Sequence, residues 1–359
     1  MLQEIVKIFF PYNILSEAKP FGNGHINNTY KVDLQGSENS YILQRINTDV
    51  FKDPLGIAET HARLEQTLSR EKQPIAIAKL ILTAEGRKLH IDGEGGVWRM
   101  TSFVENSYSI DVVTEPWQAK EAGNAFGWFA RTCSTLDANT FKESIKDFHR
   151  LSFRLGQLND AIKNNLAGRL ESIGEVIDFY KSREKELSNI EKLVDEDRIP
   201  LRVVHNDTKI NNVLFREKKA AAVIDLDTTG PGILYYDYGD ALRTSACTAE
   251  EDEKDLSKVN FNMESFEAFT KGYMGQVKTI LSDDEEELFF QAPFLMTYIM
   301  GIRFLADYLN GDTYYKTAYA DHNLTRSLVQ KKLIESMEGH KESMKEIIRD
   351  AINALPVYP

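Results

Sequence analysis

Residues 203–215 read VVHNDTKINNVLF and residues 223–228 read VIDLDT. A strand ends at His205, a loop carries Asp207 and Asn212, and a second strand delivers Asp225. Moving a phosphoryl group needs one carboxylate to orient and deprotonate an attacking hydroxyl, and oxygen ligands to hold Mg²⁺ on nucleotide phosphates. The spacing H-x-D-x-x-x-x-N followed by an Asp on the next strand supplies that set. Taken singly, HND reads as a turn and IDLD as a structural strand. Their joint occurrence in a strand-loop-strand context makes Asp207 the candidate catalytic carboxylate and Asn212 and Asp225 the candidate metal ligands. Alternation on a strand puts Asp225 and Asp227 on one side. Asp227 is then a further metal ligand, an acceptor contact or a structural partner.

Upstream of this stretch the chain favours strands. YKVDL (30–34) and YILQRI (41–46) flank the turn-rich QGSENS and predict an antiparallel hairpin. A helix follows Pro54, with Ile57, His61, Leu64 and Leu68 at helical spacing, and strands are expected in 75–82, 88–91 and 97–104. From Trp117 the period becomes helical: Ala122, Phe126, Phe129 and Ala130 mark one helix, Phe148, Phe153, Leu155 and Leu158 another, and 172–194 a third. Helices resume after the two catalytic strands and run to a last one at about 325–354. SDDEEE (282–287) reads as an acidic first turn with Ser282 as N-cap. The expectation is an α+β, bilobal chain: a small antiparallel β-sheet lobe over 1–104, and a larger, mainly helical lobe over 105–359 for catalysis and acceptor binding.

Composition narrows the function classes. The chain has 359 residues, 42% of them hydrophobic, which suffices for two cores and excludes a disordered or fibrous protein. Lys and Arg number 43 against 55 Asp and Glu, a formal charge of −12, so no nucleic-acid or anionic-membrane partner is expected. With only Cys133 and Cys247 there is no disulfide framework, and a reducing, cytoplasmic setting is expected. The most apolar stretch, 288–306, contains Gln291, Pro293 and Arg303 and reads as a core helix rather than a membrane span.

HNDTKINNVLF with VIDLD, followed by YYDYGDALR, resembles the aminoglycoside phosphotransferase / choline kinase family, whose fold is similar to that of protein kinases. FGNGHINNTYKV (21–32), YILQRIN (41–47), WRMTSFVENS (98–107), DFHRL (147–151) and GIRFLADYLNGDTYY (301–315) extend the likeness, most closely to the N-acetylhexosamine 1-kinase group. The resemblance implies MgATP bound between the lobes. Gly22, Asn23, Gly24, Asn27 and Thr29 would lie on the nucleotide side, and the backbone of Phe103 to Glu105 would bind adenine. Where the family carries a cation on the third strand, YILQRIN offers no lysine; Arg45 is expected to pair with the phosphates, with Gln44 as the competitor should the alignment slip by one. Its helix partner would be Glu59 or Glu65. Asp237 would hold the catalytic loop, with His205 packed beneath it.

On the acceptor side, Arg303 and Asp307 lie four apart on an apolar helix, so they either pair with each other or face a polar acceptor. Tyr314 and Tyr315 are candidates for stacking on a sugar face, or pack at the helix end. The resulting expectation is a kinase for the anomeric hydroxyl of N-acetylglucosamine or N-acetylgalactosamine, with aminoglycosides, choline or another amino alcohol as the competing acceptors, and a non-catalytic nucleotide-binding protein as the remaining alternative.

Overall fold

The computed structural model describes residues 1–22, 26–71 and 75–354. Expectations for Asn23 and Gly24 lie outside these. In the amino-terminal part, helix α1 (Leu2–Phe9) is followed by strands β1 (Leu15–Pro20), β2 (Asn28–Leu34) and β3 (Ser40–Ile46), helix α2 (Pro54–Leu68), and strands β4 (Ala76–Ile77), β5 (Leu80–Ile81), β6 (His90–Ile91) and β7 (Val97–Ser102). The remainder comprises α3 (Pro116–Cys133), α4 (Leu151–Asn164), α5 (Gly174–Lys181), α6 (Glu184–Asp195), β8 (Arg202–Val204), β9 (Val213–Arg216), β10 (Lys219–Val223), β11 (Gly230–Gly232), α7 (Leu234–Ser245), α8 (Met263–Val277), α9 (Asp283–Leu288), α10 (Ala292–Leu309), α11 (His322–Glu338) and α12 (Lys341–Asn353).

The amino-terminal sheet is antiparallel, in the order β1-β2-β3-β7-β5 with β6 also on β7. Its outer face is apolar because Val32, Leu34, Leu43, Trp98 and Met100 alternate outward, and Ile5, Val6 and Phe9 of α1 cover them. The other face looks toward the helical part. Helix α2 starts where Asp53 accepts from Gly56 N (2.9 Å) with Pro54 in the first turn. The 75–82 run does not form one strand. It splits because β5 joins β7, whereas β4 leaves to pair in parallel with β10 and so ties the two parts together.

The helical part packs around α10, whose side chains are all buried. Its apolar stretch is long enough to cross a membrane by composition, but 94% of that window is inside the protein. Helices α3 and α8 approach closely: a Cβ on Gly123 would lie 2.2 Å from the Phe269 carbonyl oxygen, so glycine is required there. Two expected helices are each broken. The 172–194 stripe bends after α5, where Arg183 stacks 3.6 Å over Phe179 and pairs with Glu338, and the last helix divides at Gly339 and His340. Ser282 does cap α9: its hydroxyl accepts from Glu285 N, and the Glu285 carboxylate accepts from Ser282 N at 2.9 Å.

Candidate active site

The strand β8 hands the chain to a loop at His205, and two hairpin strands, β9 and β10, return it to Asp225. Every group that fixes this loop is buried. Asp237, at the start of α7, accepts from the backbone N–H of His205 and of Asn206, both at 2.8 Å, and Thr208 Oγ1 donates to the Asp237 carbonyl. Burial pushes the Asp237 carboxyl up to about 7 despite those two donors. His205 packs edge-on against Phe126 and Phe129. Its Nδ1 accepts from Asp207 N, so Nε2 carries the proton and donates to the Ile224 carbonyl at 2.9 Å. Burial lowers its pKa and keeps it neutral. His149 supports the loop from the other side, with Nε2 donating to the Asn206 carbonyl at 2.8 Å. Burial and then the nearby Arg303 push it down to about 3.

Asn206 and Asp225 both sit at positive φ, 64° and 61°. Left-handed backbone at two non-glycine residues flanking one cleft is strain that the surrounding bonds hold in place. It also corrects one expectation. Strand β10 ends at Val223, so Asp225 and Asp227 are not alternating strand residues, and they do different things.

Asp207 is half-buried. Asn212 Nδ2 donates to its carbonyl (2.8 Å) and to its carboxylate (3.1 Å), and Lys209 Nζ lies 3.4 Å from the carboxylate. Asp207 in turn raises the Lys209 pKa, fixing the positive charge. Lys209 was not among the residues expected from sequence, although a cation two positions past the candidate catalytic carboxylate is visible there. Asp225 is open to the cleft, yet desolvation by its surroundings, then Asp227 and Asp207, push its pKa up to about 7. Carboxylates that repel one another at a cleft floor are a place a cation would relieve. Asn212 keeps its Oδ1 unpaired among the described residues. Those residues show no self-contained cluster of three or more His, Cys, Asp or Glu for a metal. The Asn212 and Asp225 oxygens are of the kind magnesium takes, one or two from protein with water and phosphate completing its shell.

Asp227 is engaged within the protein. Its carboxylate is buried, receives both terminal nitrogens of Arg99 on β7, and accepts from Asn27 Nδ2 at 2.8 Å. On β3, Arg45 lies on the outer face with Leu43, beside Gly96 and Asp92, and Gln44 is the residue turned to the cleft. The expectation for Arg45 is thus corrected: strand alternation directs it away. Gln44 donates to Thr29 Oγ1 (3.1 Å) and accepts from Arg99 (2.9 and 2.7 Å). Glu59 is exposed, and Glu65 is occupied by Leu80 N at 3.0 Å. Gly22 closes β1 with φ +76°, a conformation suited to glycine.

Between the two parts, Phe103 N donates to the Ser40 carbonyl, and Glu105 accepts from Ser40 N with its carboxylate and from Arg216 with its carbonyl. The Phe103 carbonyl and Glu105 N–H have no partner among the described residues, one acceptor and one donor on the cleft edge.

Arg303 is buried within α10. Its guanidinium lies 4.7 Å from the centre of the Phe148 ring and 5.7 Å from that of Tyr315, and no carboxylate of the described residues pairs with it. The pairing with Asp307, one of the two readings open for these residues, is absent. Asp307 instead accepts from Thr313 N, Tyr314 N, Tyr315 N and Asn323 Nδ2, and so braces the loop after α10. Tyr314 is exposed and edge-on to Tyr315; the ring near Arg303 is Tyr315. A cavity of about 380 Å³ opens beside the loop that begins at His205, lined by Asn206, Thr228, Gly232 and Tyr236 and by the carboxylates Glu143, Asp147 and Asp195 among others.

The structure is similar to a microcompartment-associated aminopropanol kinase (TM-score 0.60, 16% identity, covering 95% of this chain and 97% of that one). It is also similar to the choline kinase of Cryptosporidium parvum Iowa II (TM-score 0.58, 12% identity, 94% and 93%). A third likeness is to the ADP-bound aminoglycoside phosphotransferase APH(2'')-Ib (TM-score 0.53, 14% identity, 93% and 96%). The fold is therefore protein-kinase-like. A profile described as the phosphotransferase enzyme family (APH) matches residues 17–262, and with more than half its length so matched the chain belongs to that family.

Proposed function

We propose that this phosphotransferase moves the terminal phosphoryl group of ATP to the anomeric hydroxyl of an N-acetylhexosamine. Nucleotide enters between the sheet and the helical part. The Phe103 carbonyl and Glu105 N–H meet adenine, and Asn27 and Thr29 stand at the phosphate end. Asn212 and Asp225 would hold magnesium, which when bound neutralises charge on the phosphates. Asp207 takes the proton of the acceptor hydroxyl, or aligns it, for in-line transfer. Lys209, held by Asp207, places a fixed positive charge beside the path of the phosphoryl group.

The observation that carries the acceptor assignment is Arg303, a buried guanidinium between two aromatic rings with no counter-charge among the described residues. Such a group is satisfied by hydroxyl and amide-carbonyl oxygens and repels an ammonium group. It connects to the chemistry through its neighbours, since Phe148 lies under it and His149, next in sequence, holds the Asn206 carbonyl. A second reading rests on the acidic cavity by Asn206: Glu143, Asp147 and Asp195 there favour a cationic acceptor such as an aminoglycoside or amino alcohol. A coupled ADP-release assay over N-acetylhexosamines, plain hexoses, aminoglycosides, choline and aminopropanol decides between them. The expected result is the highest kcat/KM with an N-acetylhexosamine and phosphate on its anomeric oxygen. A preference for cationic acceptors overturns the assignment.

A further inference from the structure

A kinase of this fold keeps a lysine on its third strand paired with a glutamate on the following helix, and that lysine serves the nucleotide phosphates. Neither partner is in place here. Gln44 occupies the cleft face of β3, Glu59 on α2 is exposed, and Glu65 is bonded to Leu80 N. A phosphate site without a cation would be electrostatically incomplete, so the sheet must find one elsewhere.

Arg99 is that cation. In the β3–β7 register it stands directly opposite Gln44, so its side chain leaves the sheet on the same face and at the same level. It is only 4% exposed. Nε and Nη2 donate to Gln44 Oε1 at 2.9 and 2.7 Å, Nη2 donates to Asp227 Oδ2 at 2.8 Å, and Nη1 donates to Asp227 Oδ1. Asp227 is two residues past the proposed metal ligand Asp225, and it also accepts from Asn27, just ahead of β2. One carboxylate therefore gathers the cation, the entry to β2 and the metal-bearing segment at one point.

We infer that Arg99 replaces the third-strand lysine as the cation that serves the nucleotide phosphates, with Asp227 replacing the helix glutamate as the counter-ion that holds it. The pair moves from strand-and-helix to strand-and-metal-segment, so it fixes the sheet directly on the residues that carry magnesium. A planar guanidinium suits this double duty: two edges stay on Gln44 and Asp227, and Nη1 retains a second N–H for a phosphate oxygen.

The inference rests on the reading of this cleft as a nucleotide site, and it is tested without any acceptor. Calorimetric titration of the full chain with MgADP is compared among wild type, Arg99→Met, Arg99→Met/Asp227→Asn, and the latter with Gln44→Lys added. Arg99→Met alone strands a buried carboxylate and is at risk of unfolding; the double variant removes both charges and avoids that penalty. Its folding is verified by its melting temperature. The expected loss of MgADP affinity in the double variant is roughly 10- to 100-fold, the scale of one charge-assisted phosphate contact. Gln44→Lys returns a cation to the same face but not the ion pair, so a recovery of roughly tenfold or more separates charge supply from mere bracing. A folded double variant with wild-type affinity, or no recovery on adding Gln44→Lys, overturns the inference. Wild type that fails to bind MgADP overturns the nucleotide reading itself, a distinguishable result.

Discussion

Removing the Asp237 side chain tests whether the catalytic loop hangs on one buried carboxylate. Asp237 is fully buried and accepts from His205 N and Asn206 N at 2.8 Å each. In Asp237→Ala both donors lose their partner where water cannot replace it. An unmet buried donor costs about 1–3 kcal/mol, so the pair sets a loss of about 2–6 kcal/mol, the lower end applying because a buried charge is removed as well. Asp237→Asn keeps one acceptor oxygen but turns an NH₂ toward the other donor, and so falls between wild type and the alanine variant. Because Asp207 follows those two N–H groups in the chain, kcat should fall by roughly tenfold or more, with a smaller change in KM for nucleotide. The pH dependence has a definite sign. Burial raises the Asp237 carboxyl from about 4 to about 7, so the folded state holds its proton more tightly than the unfolded chain. That contribution is complete below about pH 4 and is lost as pH rises through about 7. Asp237→Asn has no such proton, so the stability gap between wild type and this variant narrows from pH 5 to pH 8. Urea denaturation at both pH values, with kcat measured in parallel, provides the readout. An alanine variant destabilised by less than about 1 kcal/mol, or a gap that widens with pH, refutes the reasoning.

Asp207→Asn is expected to lower kcat by roughly 10²–10⁴ while MgADP still binds, because the carboxylate acts on the acceptor proton; undiminished turnover removes the assignment. Arg303→Met should raise the acceptor KM by roughly tenfold or more and yet raise the melting temperature, since it removes a buried charge that lacks a counter-ion. A drop in melting temperature with an unchanged KM would make Arg303 a packing residue. Ser282→Ala should cost about 1 kcal/mol through the lost cap of α9, read from the denaturation midpoint, with kcat unchanged.

What the sequence made legible follows from which interactions are local. The catalytic loop was readable because Asp207, Asn212 and Asp225 sit within one hairpin, and short chain segments fix their own spacing. The Ser282 cap and the core identity of α10 were readable for the same reason, from residues within a few positions of one another. Arg45 failed at a finer level. The strand was right, but the face of a strand inverts with each residue, and the composition of YILQRI alone does not say which face looks to the cleft. Trp98 and Leu43, which claim the outer face under α1, decide it, and Trp98 lies on another strand. For Asp227 three readings stayed open, and strand alternation could not choose among them because the strand before it stops at Val223. Its partner Arg99 stands 128 residues away, a separation over which periodicity carries no information. Of the two readings open for Arg303 and Asp307, mutual pairing is the one not realised, because Asp307 finds three backbone N–H groups in the loop after its own helix. A carboxylate with several fixed donors nearby prefers them to a single mobile guanidinium across a helix turn, since the donors are already ordered and cost no side-chain entropy. That preference leaves Arg303 without a counter-charge among the described residues, and it is this local satisfaction of Asp307 that the proposed reading of α10 as an acceptor-facing helix builds on.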